Sequence, residues 1–238
     1  MSAKHIVVVG SSAAGLFATL ALCQRGYRVT LLEKELLPAC DNPVEAFERW
    51  ERRGAPQTRH SHAFLARLHN GIQERCPALY QALMEAGAET LSFRQMVEEI
   101  HTDPEFVPED GEIVLLACRR ITLDWVLQRH VDQHTDAQRR TGVEVEGLLT
   151  EADPVAATPR VRGVQIKDEN GQREEVEADL VVDASGRNSQ LQNWLDAIGA
   201  EKMEQESESC GIFYCSRFYA LHEGAKVPPI EGPIAGDL

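Results

Sequence analysis

The stretch of sequence that decides the fold is IVVVGSSAAGLFATLALCQRGYRVTLLEK, which occupies residues 6–34. Residues 6–9 are a β-branched apolar run, residues 16–24 have a helical composition, and residues 28–32 are a second apolar run. This order predicts a βαβ unit with two parallel strands. Gly26 follows the helical residues and is the type of residue at which helices end.

A glycine-containing turn joins the first strand to the helix. Gly10 lets the chain leave the strand in a tight turn, and Gly15 lets the helix pack closely on the sheet. Ser12 stands where the GxGxxG pattern has its middle glycine. The backbone N–H groups here, including those of Ala13 and Ala14, lie at the positive end of the helix dipole. We therefore predict that this turn binds a pyrophosphate.

Glu33 ends the second strand, 23 positions after Gly10. In dinucleotide-binding units the acid that holds the adenosine ribose follows the glycine turn by roughly 20 residues. The spacing predicts that Glu33 accepts hydrogen bonds from ribose hydroxyls, with Lys34 beside it. An ordinary βαβ unit without a ligand is the alternative.

Composition excludes several classes of protein. A formal net charge of −14 over 238 residues argues against nucleic-acid binding. No apolar run approaches the roughly 18 residues of a membrane-spanning helix, and the first residues do not resemble a signal peptide. We expect a cytoplasmic protein without stable membrane insertion. The six cysteines form no CxxC pair, so we predict buried thiols without a metal site or disulfides.

The rest of the chain alternates between helical and extended patterns. After residue 34, apolar periodicity predicts helices at residues 44–53, 58–74, 77–86, 122–137 and 190–198. It predicts strands at residues 90–99, 112–117, 143–149, 161–167, 174–177, 180–183 and 210–221. The Asn-Gly pair at residues 170–171 predicts a hairpin turn, so three of these strands form a meander.

A second candidate site is the turn Asp-Ala-Ser-Gly-Arg-Asn-Ser at residues 183–189, which follows a short apolar strand. Open α/β sheets bind ligands at the carboxyl ends of their strands. Here Asp183 would orient the turn, Gly186 would permit close approach of a backbone, and Ser189 would cap the next helix. A plain strand–turn–helix connection remains the alternative.

The order of these elements resembles the FAD-dependent monooxygenases of the p-hydroxybenzoate hydroxylase type. This superfamily, also called the glutathione reductase-2 type, includes flavin halogenases and geranylgeranyl reductases. The resemblance implies that residues 10–15 bind the pyrophosphate of FAD and that Glu33 binds the adenosine ribose. The turn that begins at Asp183 resembles the family's Asp-Gly motif, with Ala184 where many members have glycine.

Two further segments carry the resemblance. Residues 120–127, RITLDWVL, resemble the family's Arg-x-x-Leu-x-x-x-Leu helix, which implies that Arg120 reaches toward FAD. A surface arginine paired with an acid is the alternative. Residues 57–62, QTRHSH, resemble a segment near the flavin in one branch of these enzymes, which implies that Arg59 and His60 lie near FAD. A helix start without a ligand role is the alternative.

The resemblance implies an α/β fold: a Rossmann-like FAD-binding domain, with a parallel sheet and a three-stranded β-meander, joined to part of a β-rich substrate domain. The FAD-binding domain would comprise residues 1–75 and 119–199. Residues 76–118 would be an excursion of the substrate domain, and residues 200–238 its truncated start. Because the family's third motif lies beyond residue 238, the chain resembles an N-terminal fragment.

The function implied is that of an FAD-dependent oxidoreductase, an NAD(P)H-dependent monooxygenase. Such an enzyme hydroxylates or epoxidises a small organic substrate with O₂ through a flavin hydroperoxide, and we name no catalytic residue. The alternatives are a geranylgeranyl reductase-type enzyme or a halogenase, although Trp50 lacks the Trp-x-Trp-x-Ile context of halogenases. The alternative from a different class of protein is a non-catalytic nucleotide-binding fragment. The oligomeric state is left open.

Overall fold

The computed structural model describes residues 3–152, 158–211, 213, 215–219 and 222–225. The chain divides into two compact units, residues 1–58 with 120–210 and residues 59–119 with 211–238. The first division falls at Thr58/Arg59, 17 residues before the implied domain boundary at 75/76. That one unit binds FAD and the other substrate stays a prediction.

The helices and strands of the described residues are numbered in chain order. The α-helices α1 to α7 are Ala13–Gln24, Pro43–Arg49, Ala66–Arg75, Pro77–Glu85, Phe93–Glu98, Arg120–His134 and Leu191–Ala197. The strands β1 to β10 are His5–Val9, Arg28–Glu33, Ser61–Phe64, Glu89–Ser92, Val114–Arg119, Gln138–Thr141, Val143–Glu151, Arg160–Asp168, Arg173–Glu177 and Leu180–Asp183.

The first unit is built on a four-stranded parallel sheet in the order β10-β1-β2-β6. The predicted βαβ unit is therefore confirmed, and its helix α1 begins at Ala13 rather than at residue 16. Strand β6 was not predicted. Its sequence, Gln-Arg-Arg-Thr, has no apolar run, because an edge strand needs only one neighbour and keeps polar side chains in contact with solvent.

An antiparallel meander of β7, β8 and β9 packs beside this sheet, as predicted. The hairpin turn is stabilised by Asp168, whose carboxylate accepts hydrogen bonds from the N–H groups of Asn170 and Gln172 at 2.9 and 2.8 Å. One buried apolar cluster joins sheet, meander and α7. Its members include Val7, Val9, Leu32, Val164, Ile166 and Trp194.

The second unit contains an antiparallel sheet in the order β3-β5-β4, with α3 packed on β5. The predicted helix at residues 58–74 is wrong in its first half, because residues 61–64 form β3 and pair with β5. The predicted strand at residues 90–99 is likewise split into β4 and the helix α5. In the first case pairing with β5 outweighs local periodicity. In the second case β4 ends at Ser92, opposite Val114, where β5 begins, and the helix α5 follows.

The predicted strand at residues 210–221 is not found in its described part, since none of residues 210, 211, 213 and 215–219 is assigned to a strand. The remaining residues of that range lie outside the described part of the chain. The expectation of buried thiols is also wrong for Cys210 and Cys215, which are exposed. The other four cysteines are half-buried, and burial raises the pKa of the Cys23 thiol above its ordinary value.

The turn between β1 and α1 depends on two glycines. A Cβ on Gly15 would lie 1.8 Å from the carbonyl oxygen of Gly10, far inside the van der Waals contact distance of a carbon and an oxygen atom. A Cβ on Gly10 would lie 2.6 Å from the carbonyl oxygen of Ala184, and the φ of Gly10 is +97°. The tight turn predicted at Gly10 and the close packing predicted at Gly15 are therefore confirmed, and their part in binding a cofactor stays a prediction.

We predict that Gly15→Ala destabilises the protein by about 3 kcal/mol or more, because the added methyl group meets backbone that cannot move alone. The matched control is Gly147→Ala in β7, where an added Cβ meets nothing within 4 Å. This control should shift the free energy of unfolding by no more than about 1 kcal/mol. Urea denaturation measures both, and a Gly15→Ala variant as stable as the control would contradict the packing described.

Candidate nucleotide-binding site

Three neighbouring strands of the parallel sheet end side by side. Val9 at the end of β1 is in register with Leu32 of β2 and with Asp183 of β10. Two backbone hydrogen bonds join the turns that follow, from Gly10 N–H to the Leu32 oxygen and from Ala184 N–H to the Val9 oxygen, both 2.8 Å. The chain thus places the two predicted turns and Glu33 at one edge of one sheet.

The amino end of α1 forms the centre of this edge. Its N-cap residue, Ser12, has extended backbone and makes no side-chain capping bond, and no acidic residue lies in the first turn. The early start of α1 puts Ala13, Ala14 and Gly15 in that first turn, where N–H groups have no acceptor within the helix. Unneutralised N–H groups at the positive end of a helix are the ordinary protein site for a phosphate.

Arg120 adds a cation to the same turn. Its guanidinium donates from Nη2 to the Ser12 hydroxyl at 3.4 Å and from Nε to the Asp124 carboxylate at 3.1 Å. The Asp124 side chain is fully buried, and the Arg120 side chain is 13% exposed. Asp124 therefore holds Arg120 in one direction, toward Ser12. The pairing with an acid that the alternative expected is present, although the side chain is largely buried rather than at the surface, and the role of Arg120 toward FAD stays a prediction.

Glu33 is fixed on the other side of the turn. Its Oε2 accepts hydrogen bonds from the Ser11 N–H at 2.9 Å and the Ser11 hydroxyl at 2.6 Å, and its Oε1 accepts one from Glu35 N–H at 2.9 Å. Ser11 is almost fully buried. Sequence reasoning missed its role, because the GxGxxG pattern assigns nothing to that position. Lys34, by contrast, is exposed and pairs with Glu144 at 2.5 Å.

Asp183 organises the second turn, as predicted. Its carboxylate accepts hydrogen bonds from the N–H of Ser185 at 3.0 Å, from the Ser185 hydroxyl at 2.6 Å and from the Ser189 hydroxyl. The Ser189 hydroxyl in turn accepts from Leu191 N–H at 3.0 Å, at the start of α7. That Gly186 permits close approach of a backbone stays a prediction. A Cβ there meets nothing within 4 Å, and what favours glycine is its φ of +84°.

The remaining predicted residues belong to the second unit. His60 pairs through Nδ1 with the hydroxyl of Ser216 at 2.7 Å, and Arg59 ends a 3₁₀ turn, Pro56–Arg59. That they lie near the flavin stays a prediction. No cluster of three potential metal ligands occurs in the part of the chain that the structure describes. Within that same part, no helix combines the length and the apolarity needed to cross a membrane.

Comparison with known proteins identifies the class of fold. Three solved structures match: the myxobacterial chondrochloren halogenase CndH, p-nitrophenol 4-monooxygenase PnpA from Pseudomonas putida, and the flavin-dependent brominase Bmp2. They are 22%, 16% and 19% identical, with TM-scores of 0.54, 0.55 and 0.54 over 79%, 81% and 80% of this chain. This likeness establishes the predicted fold class, the mixed α/β fold of FAD-binding, Rossmann-like flavoproteins.

A curated relative is Protein Rv3254 of Mycobacterium tuberculosis, which is 30% identical over 229 residues, 92% of this chain. No family model matches the sequence. The chain spans about half the length of this relative, 46%, and it spans 38%, 43% and 40% of the three solved chains.

We predict that Asp124→Leu destabilises the protein by about 3 kcal/mol, because it leaves the poorly exposed guanidinium of Arg120 without its counter-charge. The double variant Asp124→Leu/Arg120→Met should regain most of that loss, since both charges are then removed. The control on the same helix is Asp132→Ala, whose ion pair with Arg139 is partly exposed. It should cost less than about 1 kcal/mol. Urea denaturation measures the free energy of unfolding of all three variants. A double variant that is no more stable than Asp124→Leu would contradict the pairing of Arg120 with Asp124.

Proposed function

We propose that this chain is the FAD-binding part of a flavin-dependent oxidoreductase, an NAD(P)H-dependent monooxygenase that acts on a small organic substrate with O₂. One observation carries the proposal. The unneutralised N–H groups of α1, the Arg120 guanidinium and the Glu33 carboxylate lie around a single turn at the carboxyl edge of a parallel sheet. They match the phosphate and the sugar of one dinucleotide.

The phosphate side of the match rests on charge. The chain carries a formal net charge of −14, so a dinucleotide is repelled unless local groups attract it. The first turn of α1 supplies roughly half a positive charge. Arg120 supplies guanidinium donors aimed at Ser12, while Asp124 balances its charge. Ala13 is half-buried and Ala14 is exposed, so a pyrophosphate can approach the backbone N–H groups of these two residues.

The sugar side of the match rests on Glu33. Two donors from Ser11 and, at 3.5 Å, the Arg52 guanidinium contact its Oε2. Among the described residues its Oε1 accepts one N–H, and it can accept another bond. A ribose hydroxyl is the donor that the spacing predicts there. Lys34, Asp183 and Gly186 complete the proposed set, with Asp183 holding its turn and Gly186 leaving that turn without a side chain.

Bound FAD would supply the redox chemistry, by accepting a hydride from NAD(P)H and passing the electrons to O₂. The contribution of the chain is to bind the cofactor, to orient it and to exclude water around it. No side chain is assigned as acid or base. The cytoplasm stays the predicted location.

The fold does not indicate which reaction is catalysed, since the matched halogenases and monooxygenase have nearly equal TM-scores. The reaction class can be tested on a preparation of the protein that retains bound flavin. A monooxygenase consumes NAD(P)H and O₂ together without halide, a halogenase requires halide for product, and a geranylgeranyl reductase-type enzyme consumes NAD(P)H without O₂. A protein that never takes up flavin is a non-catalytic module.

The test of FAD binding is direct. We expect the purified protein to bind FAD, detected as the visible absorption of flavin that co-elutes with it and as FAD, rather than FMN, released on denaturation. A colourless protein that takes up no FAD and is stabilised by NAD would refute the proposal.

We predict that Glu33→Gln weakens FAD binding by about 10-fold or more, because a hydrogen bond to a charged carboxylate is replaced by a weaker neutral one. The control is Glu48→Gln, which makes the same change of charge at an exposed position of α2. It should leave the affinity unchanged. Titration of the flavin-free protein, followed by flavin fluorescence, measures both variants. Equal affinity of Glu33→Gln and wild type would show that Glu33 does not hold the ribose.

A further inference from the structure

Ser12 is the residue at which the turn between β1 and α1 departs from the dinucleotide-binding pattern, and it is only half-buried. In the GxGxxG pattern the middle glycine lets the backbone approach the pyrophosphate. The φ of Ser12 is −90°, a conformation that any residue adopts, so the backbone does not require glycine there. Serine instead places a Cβ and a hydroxyl where the phosphate would come closest. The side chain therefore either obstructs the phosphate or binds it.

The Ser12 hydroxyl does not do what a serine at the start of a helix ordinarily does. A serine N-cap accepts a hydrogen bond from an N–H group of the first turn, and Ser12 makes no such bond. Among the described residues its oxygen accepts one hydrogen bond, from Arg120 Nη2 at 3.4 Å, and its proton has no acceptor. A hydroxyl carries one donor besides its acceptor sites, so this donor is available to a ligand.

Arg120 limits the direction in which that proton can point. The fully buried Asp124 side chain holds the guanidinium through Nε at 3.1 Å, so the guanidinium approaches the Ser12 oxygen from one side. The O–H group must point away from this donor. A hydroxyl that accepts a hydrogen bond from a cation also donates more strongly. Phosphate oxygens are charged acceptors and form the shorter and stronger class of hydrogen bonds.

We propose that the Ser12 hydroxyl donates a hydrogen bond to a phosphate of the dinucleotide, and that Arg120 is a positioning residue that acts through this hydroxyl. This inference rests on the proposed binding of FAD. It reverses the order of preference that the GxGxxG pattern implies, in which glycine is the better residue at this position. In this chain serine is the better residue, because it supplies an oriented donor that glycine lacks.

The test is to titrate the flavin-free variants Ser12→Gly and Ser12→Ala with FAD and, by competition, with ADP. We expect each variant to bind both nucleotides about 10-fold more weakly than wild type, because a hydrogen bond to a charged phosphate is lost. The control is Ser92→Ala, since Ser92 is the N-cap of α5 and likewise makes no side-chain capping bond. It should keep the wild-type affinities. Urea denaturation of the same variants shows whether each one folds.

A Ser12 that obstructs the phosphate gives the opposite result, since Ser12→Gly would then bind FAD as tightly as wild type or more tightly, which overturns the inference. A Ser12 with only a structural role would change the free energy of unfolding and leave both affinities unchanged, which also overturns it. A folded wild type that binds neither FAD nor ADP refutes the proposed function itself.

The role of Arg120 is tested by repeating Ser12→Ala in the Asp124→Leu/Arg120→Met background. Because the hydroxyl is no longer oriented there, its removal should weaken FAD binding by no more than about 3-fold. A loss as large as in wild type would show that Arg120 does not act through Ser12. If the background variant does not fold, Arg120→Lys replaces it, since lysine keeps the charge and loses the rigid set of donors, and the same ratio is measured.

Discussion

The amino end of α1 lies against the end of β1 so closely that no side chain fits between them. The Gly15–Gly10 contact fixes where the first turn of the helix points, and the Gly10–Ala184 contact brings the turn after β10 to the same place. Every other feature of the site depends on this packing. Ser11 can reach Glu33, and Arg120 can reach Ser12, because the turn between β1 and α1 has one position.

Two arginines near the turn are held by carboxylates that are buried or half-buried. Asp124 holds Arg120, and Glu33 and Glu35 hold Arg52. Because these carboxylates balance the cations, the local attraction for a phosphate in a chain with a net charge of −14 comes from the positive end of α1. Buried carboxylates fix the direction of the guanidinium groups, whereas exposed pairs such as Lys34–Glu144 leave the side chain in contact with solvent.

The sequence alone was sufficient to predict the structure where local and tertiary preferences agree. The βαβ unit, the meander and the turn at Asp183 follow from apolar runs, glycines and an Asn-Gly pair that each specify one local structure. It was not sufficient for residues 58–74 and 90–99, where pairing with β5 decides, or for the polar edge strand β6. Ser11 and Arg52 could not be found from spacing, because their partners are distant in sequence and no motif records them.

The most direct test of the account is to record which backbone amides respond when ADP is added to ¹⁵N-labelled protein. The account predicts that the resonances of Ser12, Ala13, Ala14 and Gly15 shift together and saturably, while that of Gly147 in β7 does not. It is contradicted if these amides do not respond. It is equally contradicted if the response is confined to the cavity at the amino ends of the parallel strands, which is lined by Arg28, Arg160 and Arg162.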